Sequence, residues 1–136
     1  MLSAALLFSS ALAGEVRLEI SKTEHNSGQL LVVLFTSEDG WPSNPDKAYR
    51  RLIATPTTGT SVVVIPDVPP GRYAAFVVHD EDSDMQCDLG SVIPMPKEPI
   101  AASRDARAMF GPPKFQDAVF DVGDAPVVQR FRFIRY

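Results

Sequence analysis

The chain has 136 residues, with 17 acidic and 13 basic side chains, which gives a formal net charge of −4. This length fits one domain with an ordinary hydrophobic core, and the acidic balance argues against a protein that binds nucleic acid through its overall field. The single cysteine excludes an internal disulfide framework and a CxxC-type zinc or redox site. The two histidines, His25 and His79, are too few for a histidine-rich catalytic metal centre.

Residues 1–13 are uncharged and largely apolar, which is typical of a signal peptide. Ala11 and Ala13 occupy the small-residue positions that signal peptidase needs, so we expect cleavage before Gly14. The segment is shorter than the roughly 20 apolar residues that span a bilayer, and Glu15 stands where a lipoprotein has its cysteine. We therefore expect export to the periplasm or medium without membrane insertion. The usual basic residue before the apolar stretch is missing, so we expect the true start codon a few residues upstream.

Seven segments of the remainder have the alternating or continuous apolar pattern of β-strands, and turns rich in glycine, proline and polar residues separate them. In chain order they are EVRLEI (15–20), QLLVVLFT (29–36), AYRRLIAT (48–55), TSVVVI (60–65), RYAAFVVH (72–79), DAVFDV (117–122) and PVVQRFRFI (126–134). No segment has the period of an amphipathic helix. The sequence predicts an all-β fold over residues 14–136, a single antiparallel β-sandwich of about seven strands that is monomeric or weakly associated.

The segment between His79 and Gln116 breaks this pattern, because it has no strand period and is rich in proline. Long connections without secondary structure are uncommon in compact domains and are usually functional or disordered. We therefore expect one long proline-rich loop here, and any local site within it. Phe110 and Phe115 flank a pair of prolines, and we expect both rings to pin this loop onto a sheet.

Three pieces of the chain resemble the bacterial domain of unknown function family 2141. They are SGQLLVVLFTSEDGWP (27–42), PDVPPGRYAAFVVHDEDSDMQCD (66–88) and ARAMFGPPKFQDAVF (106–120). The resemblance runs from about Glu15 to Tyr136, and it implies a small exported immunoglobulin-like sandwich of unassigned activity. The piece Val68–Tyr73 also resembles a turn-strand motif of transthyretin-like sandwich domains. In that motif we expect Gly71 to supply the backbone angle of a tight turn and Tyr73 to begin the next strand.

An acidic stretch, HDEDSDMQCD, follows the fifth predicted strand. It places Asp80, Asp82, Asp84 and Asp88 at positions 1, 3, 5 and 9 of a loop, with the backbone of Gln86 at position 7. Calcium loops use this spacing to turn alternate oxygens towards one hard cation. The resemblance implies a D-x-N-x-N-G-x-x-D pattern at the same four aspartates. We predict a calcium site formed by these five residues.

Two positions differ from an EF-hand loop. Met85 stands at position 6, where glycine makes the sharp turn, and Ser91 stands at position 12 in place of a bidentate glutamate. A strict EF-hand is therefore excluded, and further oxygens would have to come from Glu81, Glu98 or Asp105. The alternative interpretation is a solvated acidic turn that binds no metal.

Three functions stay open on the sequence. The first is a non-enzymatic binding or accessory module, whose partner is an envelope polymer or a protein, with calcium at the acidic loop. The second is binding of a carbohydrate or envelope polymer through Trp41 and the long loop, against the alternative that Trp41 is a core anchor. The third is a hydrolase that uses His79, but no GxSxG or Cys/His arrangement accompanies it, and we expect a satisfied histidine at the strand end. Arg130, Arg132 and Arg135 are interpreted as a solvated edge that binds no nucleic acid.

Overall fold

The computed structural model describes residues 14–83 and 98–135 of the chain, and two β-sheets dominate it. Its strands are β1 (Val16–Thr23), β2 (Gln29–Phe35), β3 (Arg50–Ala54), β4 (Gly59–Ile65), β5 (Gly71–Asp80), β6 (Ile100–Ala102), β7 (Phe120–Val122) and β8 (Val127–Arg132). In the described ranges, helical structure is limited to 3₁₀ turns at Pro45–Lys47 and Ser103–Asp105 and to the short helix α1 (Phe115–Ala118). Among these described residues no helix is long and apolar enough to cross a bilayer.

The strand order is β4-β1-β8 in the first sheet and β3-β2-β5-β6 in the second, where β7 also pairs with the beginning of β5. Neighbouring strands are antiparallel except for β1 and β8, which run parallel from the pair Val16 and Val127 onwards. The prediction that every pair is antiparallel is therefore wrong for this one pair. Parallel neighbours need a long connection, and here the rest of the domain lies between the first and the last strand.

Strand β5 is the centre of the molecule, because both of its faces are buried. Side chains alternate along a strand, so its odd and even residues enter two different apolar clusters. The cluster between the sheets receives Tyr73, Ala75 and Val77. The second cluster lies on the opposite face of the larger sheet, where it meets Ile100 of β6 and Ala118 of α1; it receives Ala74, Phe76 and Val78.

The predicted all-β sandwich is confirmed, and each of the seven predicted segments contains a strand. The eighth strand, β6, lies inside the segment that was predicted to be a loop. Three residues are too few to establish a period, and β6 exists because it pairs with Phe76–Val78 of β5. Tyr73 does lie at the start of β5, but Gly71 does not adopt a positive φ; Asp67 does, at 58°. The tight turn before β5 therefore uses an aspartate where the motif suggested glycine.

Candidate metal-binding end of the sandwich

The end of β5 places three titratable side chains in succession, His79, Asp80 and Glu81. Strand β2 begins beside them, with Gln29 opposite Asp80 and Leu30 opposite His79. Because side chains alternate, His79 continues the row that faces the cluster between the sheets, while Asp80 points to the other face. The end of β5 thus contributes side chains to two neighbouring groups of residues that are able to bind metals.

The first group is a cluster of three carboxylates, Asp80, Asp82 and Glu98. Asp80 is completely buried, Glu98 is 3% exposed, and Asp82 is exposed. One oxygen from each lies within 4.8 Å of the other two. Neutral donors orient two of them: the Gln29 side-chain amide donates to Asp80 Oδ2 at 2.9 Å, and the Glu81 backbone N–H donates to Glu98 Oε2 at 2.8 Å.

Glu98 reaches this cluster because the chain returns to the sheet just after it. The carbonyl of Pro99 accepts a hydrogen bond from the His79 backbone N–H at 2.9 Å, and β6 begins at Ile100. Two of the predicted calcium ligands, Asp80 and Asp82, are therefore brought together, with Glu98 as a third carboxylate. The other predicted ligands, Asp84, Gln86 and Asp88, lie outside the described residues.

The two other carboxylates considered as further ligands lie elsewhere. Glu81 faces the opposite side, where Oε2 lies 2.6 Å from His25 Nε2. Asp105 accepts a hydrogen bond from the Arg132 backbone N–H at 2.9 Å, beside strand β8. Asp105 therefore caps a strand in the first sheet and takes no part in the acidic cluster.

The second group contains His25, His79 and Glu81, with one ligand atom from each within 4.8 Å of the others. The two imidazole rings lie 4.6 Å apart between centroids and are inclined by 45°. The Nδ1 atom of His25 lies 2.6 Å from the hydroxyl oxygen of Ser27. Both His25 nitrogens are therefore engaged, one with a hydroxyl group and one with a carboxylate.

His79 is completely buried, and its two ring nitrogens differ. Nε2 lies 2.8 Å from the carbonyl oxygen of Ser27, so it must carry the proton and donate. Nδ1 is a buried side-chain nitrogen that has no hydrogen-bond partner within residues 14–83 and 98–135. The expectation of a satisfied histidine is therefore right for Nε2 and wrong for Nδ1. The His79 ring also packs 5.9 Å from the ring of Phe133.

Sequence reasoning did not place His25 in this site. It lies in the polar turn between β1 and β2, which reads as an ordinary loop. The one available signal was that His25 precedes QLLVVLFT (29–36), a predicted strand with a continuous apolar run. A strand must pair with other strands, so its ends lie beside theirs.

Arg135 completes the charge balance of the histidine group. Its Nη2 donates to Glu81 Oε2 at 2.6 Å and to Glu24 Oε1 at 2.8 Å. Burial acts to raise the pKa of Glu81, but the hydrogen bonds from Arg135 and then His25 outweigh it, so this pKa lies below its ordinary value. Hydrogen bonds to Glu24 and Glu81 in turn raise the pKa of Arg135. Glu81 is therefore a carboxylate at neutral pH.

The chain matches, over residues 18–130, a family described as an uncharacterized protein conserved in bacteria (DUF2141). It belongs to that family. This confirms the resemblance that its sequence motifs indicated. Comparison with curated proteins gave no significant match, and comparison with solved structures gave none either. The family description assigns no activity, so an argument about function depends on the geometry of this member's own residues.

A groove with a mainly basic lining adjoins the histidine group in this DUF2141 member. Its volume is about 410 Å³, and its lining includes the basic residues Lys22, Arg107, Arg132 and Arg135. Within the described part of the chain, only Arg135 of these four makes an ion pair. Arg132 therefore lies in a basic groove, whereas Arg130 pairs with Glu19 at 3.0 Å on the sheet surface. All three arginines are exposed beside or on an edge strand, as the interpretation of a solvated edge expects.

Trp41 packs against the second apolar cluster, and its indole N–H donates to the Pro113 carbonyl at 2.8 Å. Its ring meets Phe35, Phe76 and Phe115 edge to face, with centroids 5.4, 5.7 and 5.8 Å away. These contacts favour the role of a core anchor over that of a sugar-stacking platform.

The expected pinning of the long loop is half right. Phe115 is partly buried against the second apolar cluster, as predicted. Phe110 is 86% exposed, and the neighbouring Met109 is 89% exposed, so neither side chain packs on a sheet.

Proposed function

We propose that this protein is an exported, non-enzymatic binding or accessory module whose acidic end takes up calcium. The observation that carries the proposal is the cluster of Asp80, Asp82 and Glu98, in which two carboxylates are almost completely buried within 4.8 Å of a third. Three carboxylates at this distance repel one another. A divalent cation among them would offset the repulsion between like charges.

The donor atoms favour a hard cation. Carboxylate oxygens are the ligands that Ca²⁺ and Mg²⁺ prefer, and Ca²⁺ accepts six to eight of them in flexible geometry. Three carboxylates can supply up to six oxygens when each is bidentate. In the calcium-loop interpretation, Asp84, Gln86 and Asp88 would supply the remainder. Asp80 is a buried ligand in a fixed position, and Asp82 is an exposed carboxylate that a calcium ion can reach from solvent.

Thermal unfolding with excess EDTA, then with millimolar Ca²⁺ or Mg²⁺, tests the proposal. A ligand that binds only the folded chain raises the unfolding midpoint by an amount set by its concentration relative to Kd. We expect a rise with Ca²⁺ that Asp82→Ala abolishes, because alanine removes the ligand oxygens of an exposed residue without disturbing the core. Asp121→Ala is the matched control, since Asp121 is an exposed aspartate on β7 that pairs with Arg72. A calcium-dependent rise that survives in Asp82→Ala would refute the site.

The basic groove favours a second candidate function, binding of an anionic envelope polymer. Three of its basic side chains, Lys22, Arg107 and Arg132, have no ion-pair partner among residues 14–83 and 98–135. Polygalacturonate and polyphosphate are suitable probes, because they separate carboxylate from phosphate recognition. We expect Arg107→Gln to weaken binding and added salt to weaken it further, whereas Arg51→Gln, on β3, should leave it unchanged. Equal binding by both variants would exclude the groove.

A further inference from the structure

The ring nitrogens of His79 have the hydrogen-bond arrangement that is typical of a metal-binding histidine. Histidines that bind metals usually donate the second ring N–H to a carbonyl or carboxylate, which fixes the tautomer and leaves the other nitrogen with its lone pair. In His79, Nε2 donates to the Ser27 carbonyl at 2.8 Å, and Nδ1 is the buried nitrogen that has no partner among the described residues. A buried acceptor without a donor is costly. A metal ion at Nδ1 would remove this penalty.

We propose that His25, His79 and Glu81 form a second metal site, specific for a divalent transition-metal ion such as Zn²⁺ or Cu²⁺. Their ligand atoms lie within 4.8 Å of one another, and all three residues are held by strand ends or by the turn between β1 and β2. Two imidazoles and one carboxylate suit zinc and copper, whereas calcium prefers oxygen alone. This site is separate from the calcium cluster and goes beyond the proposed function.

Metal binding here needs the other tautomer of His25. Its Nε2 and Glu81 Oε2, now 2.6 Å apart, both become ligands when the ring proton lies on Nδ1, where the Ser27 hydroxyl oxygen at 2.6 Å can accept it. Ligands at about 2.0–2.2 Å from a tetrahedral ion stand roughly 3.3 Å apart, so the pair must open slightly. The side chain of His25 is 39% exposed and that of Glu81 is 22% exposed, which gives the ion a path from solvent. Three protein ligands leave a fourth position for water or a further ligand.

Arg135 opposes the metal at this site. It donates to the same Glu81 oxygen at 2.6 Å, so a cation at the cluster must compete with the guanidinium group. Arg135 has a second carboxylate, Glu24 at 2.8 Å, to which it can remain bound. Arg135→Gln should therefore strengthen zinc binding several-fold. A purely structural role for Arg135 would predict unchanged or weaker binding.

Isothermal titration of the purified, tag-free chain with Zn²⁺ tests the site directly. We expect one Zn²⁺ per chain and a loss of at least about tenfold in affinity in His25→Gln, because removal of supporting residues around metal sites alone costs 10–100-fold. Binding should also weaken at acidic pH, since the ligands must lose protons. Asp82→Ala, in the acidic cluster, should leave Zn²⁺ binding unchanged while it abolishes the calcium response. His25→Gln should do the reverse, so the two proposals fail separately.

A second measurement avoids mutating the buried His79. In the ¹⁵N NMR spectrum of the wild-type chain, Zn²⁺ should shift the Nδ1 resonance of His79 while its Nε2 stays protonated. Unchanged His79 resonances at saturating Zn²⁺ would overturn the proposal, and so would equal Zn²⁺ affinity of wild type and His25→Gln. Unfolding of the metal-free His25→Gln variant in EDTA serves as the check that it folds.

Discussion

The only two histidines of the chain, His25 and His79, meet with their ring centroids 4.6 Å apart. His25 lies just before β2, and His79 lies near the end of β5. Antiparallel pairing places the beginning of one strand beside the end of its neighbour, so β2 and β5 bring the two rings to the same end of the sandwich. Arg135, after the last strand, closes the group through Glu81.

Glu81→Gln should make the protein less stable at neutral pH but not in acid. Glutamine keeps the size of the side chain but loses the charge that Arg135 and His25 recognise, so we expect a loss of about 1 kcal/mol for this partly exposed group. The pKa of Glu81 is lowered from 4.5, so its contribution is complete above that pH and disappears as the pH falls through the lowered value. Urea unfolding between neutral and acidic pH should show the two proteins converging. A difference that is constant with pH would contradict this.

Gly28→Ala should destabilise the fold more than Gly111→Ala. The two glycines have nearly the same φ, +76° and +77°, so both substitutions carry the same left-handed strain of about 1–2 kcal/mol. At Gly28 a Cβ would also lie 2.8 Å from Glu81 Cα and press on the Asp80 carbonyl, whereas Gly111 has open space. The difference in the free energy of unfolding isolates this contact. Equal losses would show that the turn before β2 can move away from the site.

Ser103→Ala should cost about 1–3 kcal/mol, because two backbone groups depend on this buried hydroxyl. It donates to the Ala118 carbonyl at 2.6 Å and accepts from the Ala75 N–H at 3.0 Å, which ties α1 to β5. Ser43 is exposed, so Ser43→Ala serves as the control and should change the free energy of unfolding by less than about 0.5 kcal/mol. Urea unfolding of the two variants measures both changes. Equal free energies of unfolding would show that the contacts of the Ser103 hydroxyl are dispensable.

Trp41→Ala should lower the free energy of unfolding by an amount near the low end of the roughly 3–5 kcal/mol seen for buried tryptophan. Trp41→Phe keeps an aromatic ring but loses the hydrogen bond to Pro113, so its loss should be about 1 kcal/mol. Circular dichroism during urea unfolding measures both variants. A stable Trp41→Ala protein that no longer binds glycans would instead support the sugar-binding alternative.

The exported form should begin at Gly14. Mass spectrometry of the protein recovered from the periplasm or medium tests this, and Ala13→Arg should block processing because signal peptidase needs a small residue there. The Gly14 carbonyl accepts a hydrogen bond from the Val68 N–H at 2.9 Å, so a chain that begins here keeps its first contact with the fold. An unprocessed wild-type chain would contradict the signal-peptide interpretation.

The strands were predictable because their signals are local. Val16, Leu18 and Ile20 alternate with polar residues and face the core as that pattern requires. In β5, the segment RYAAFVVH correctly indicated a strand, and the structure shows that both of its faces are buried. Asp80 and Asp82 were found by their spacing, which is also local. Glu98 was considered only as one of several additional donors, and its position depends on how the chain returns to β6.

The amino-acid sequence by itself determined the fold class, the strands and the acidic segment, since periodicity, turn residues and charge spacing act between residues close in the chain. Only the tertiary structure decided that β1 and β8 are parallel, that β6 exists, and that His25, His79 and Glu81 meet. Such contacts join residues far apart in the chain, and their closure depends on the pairing of whole strands. The sequence around His25, a single histidine in a turn, does not indicate the strand end against which it packs.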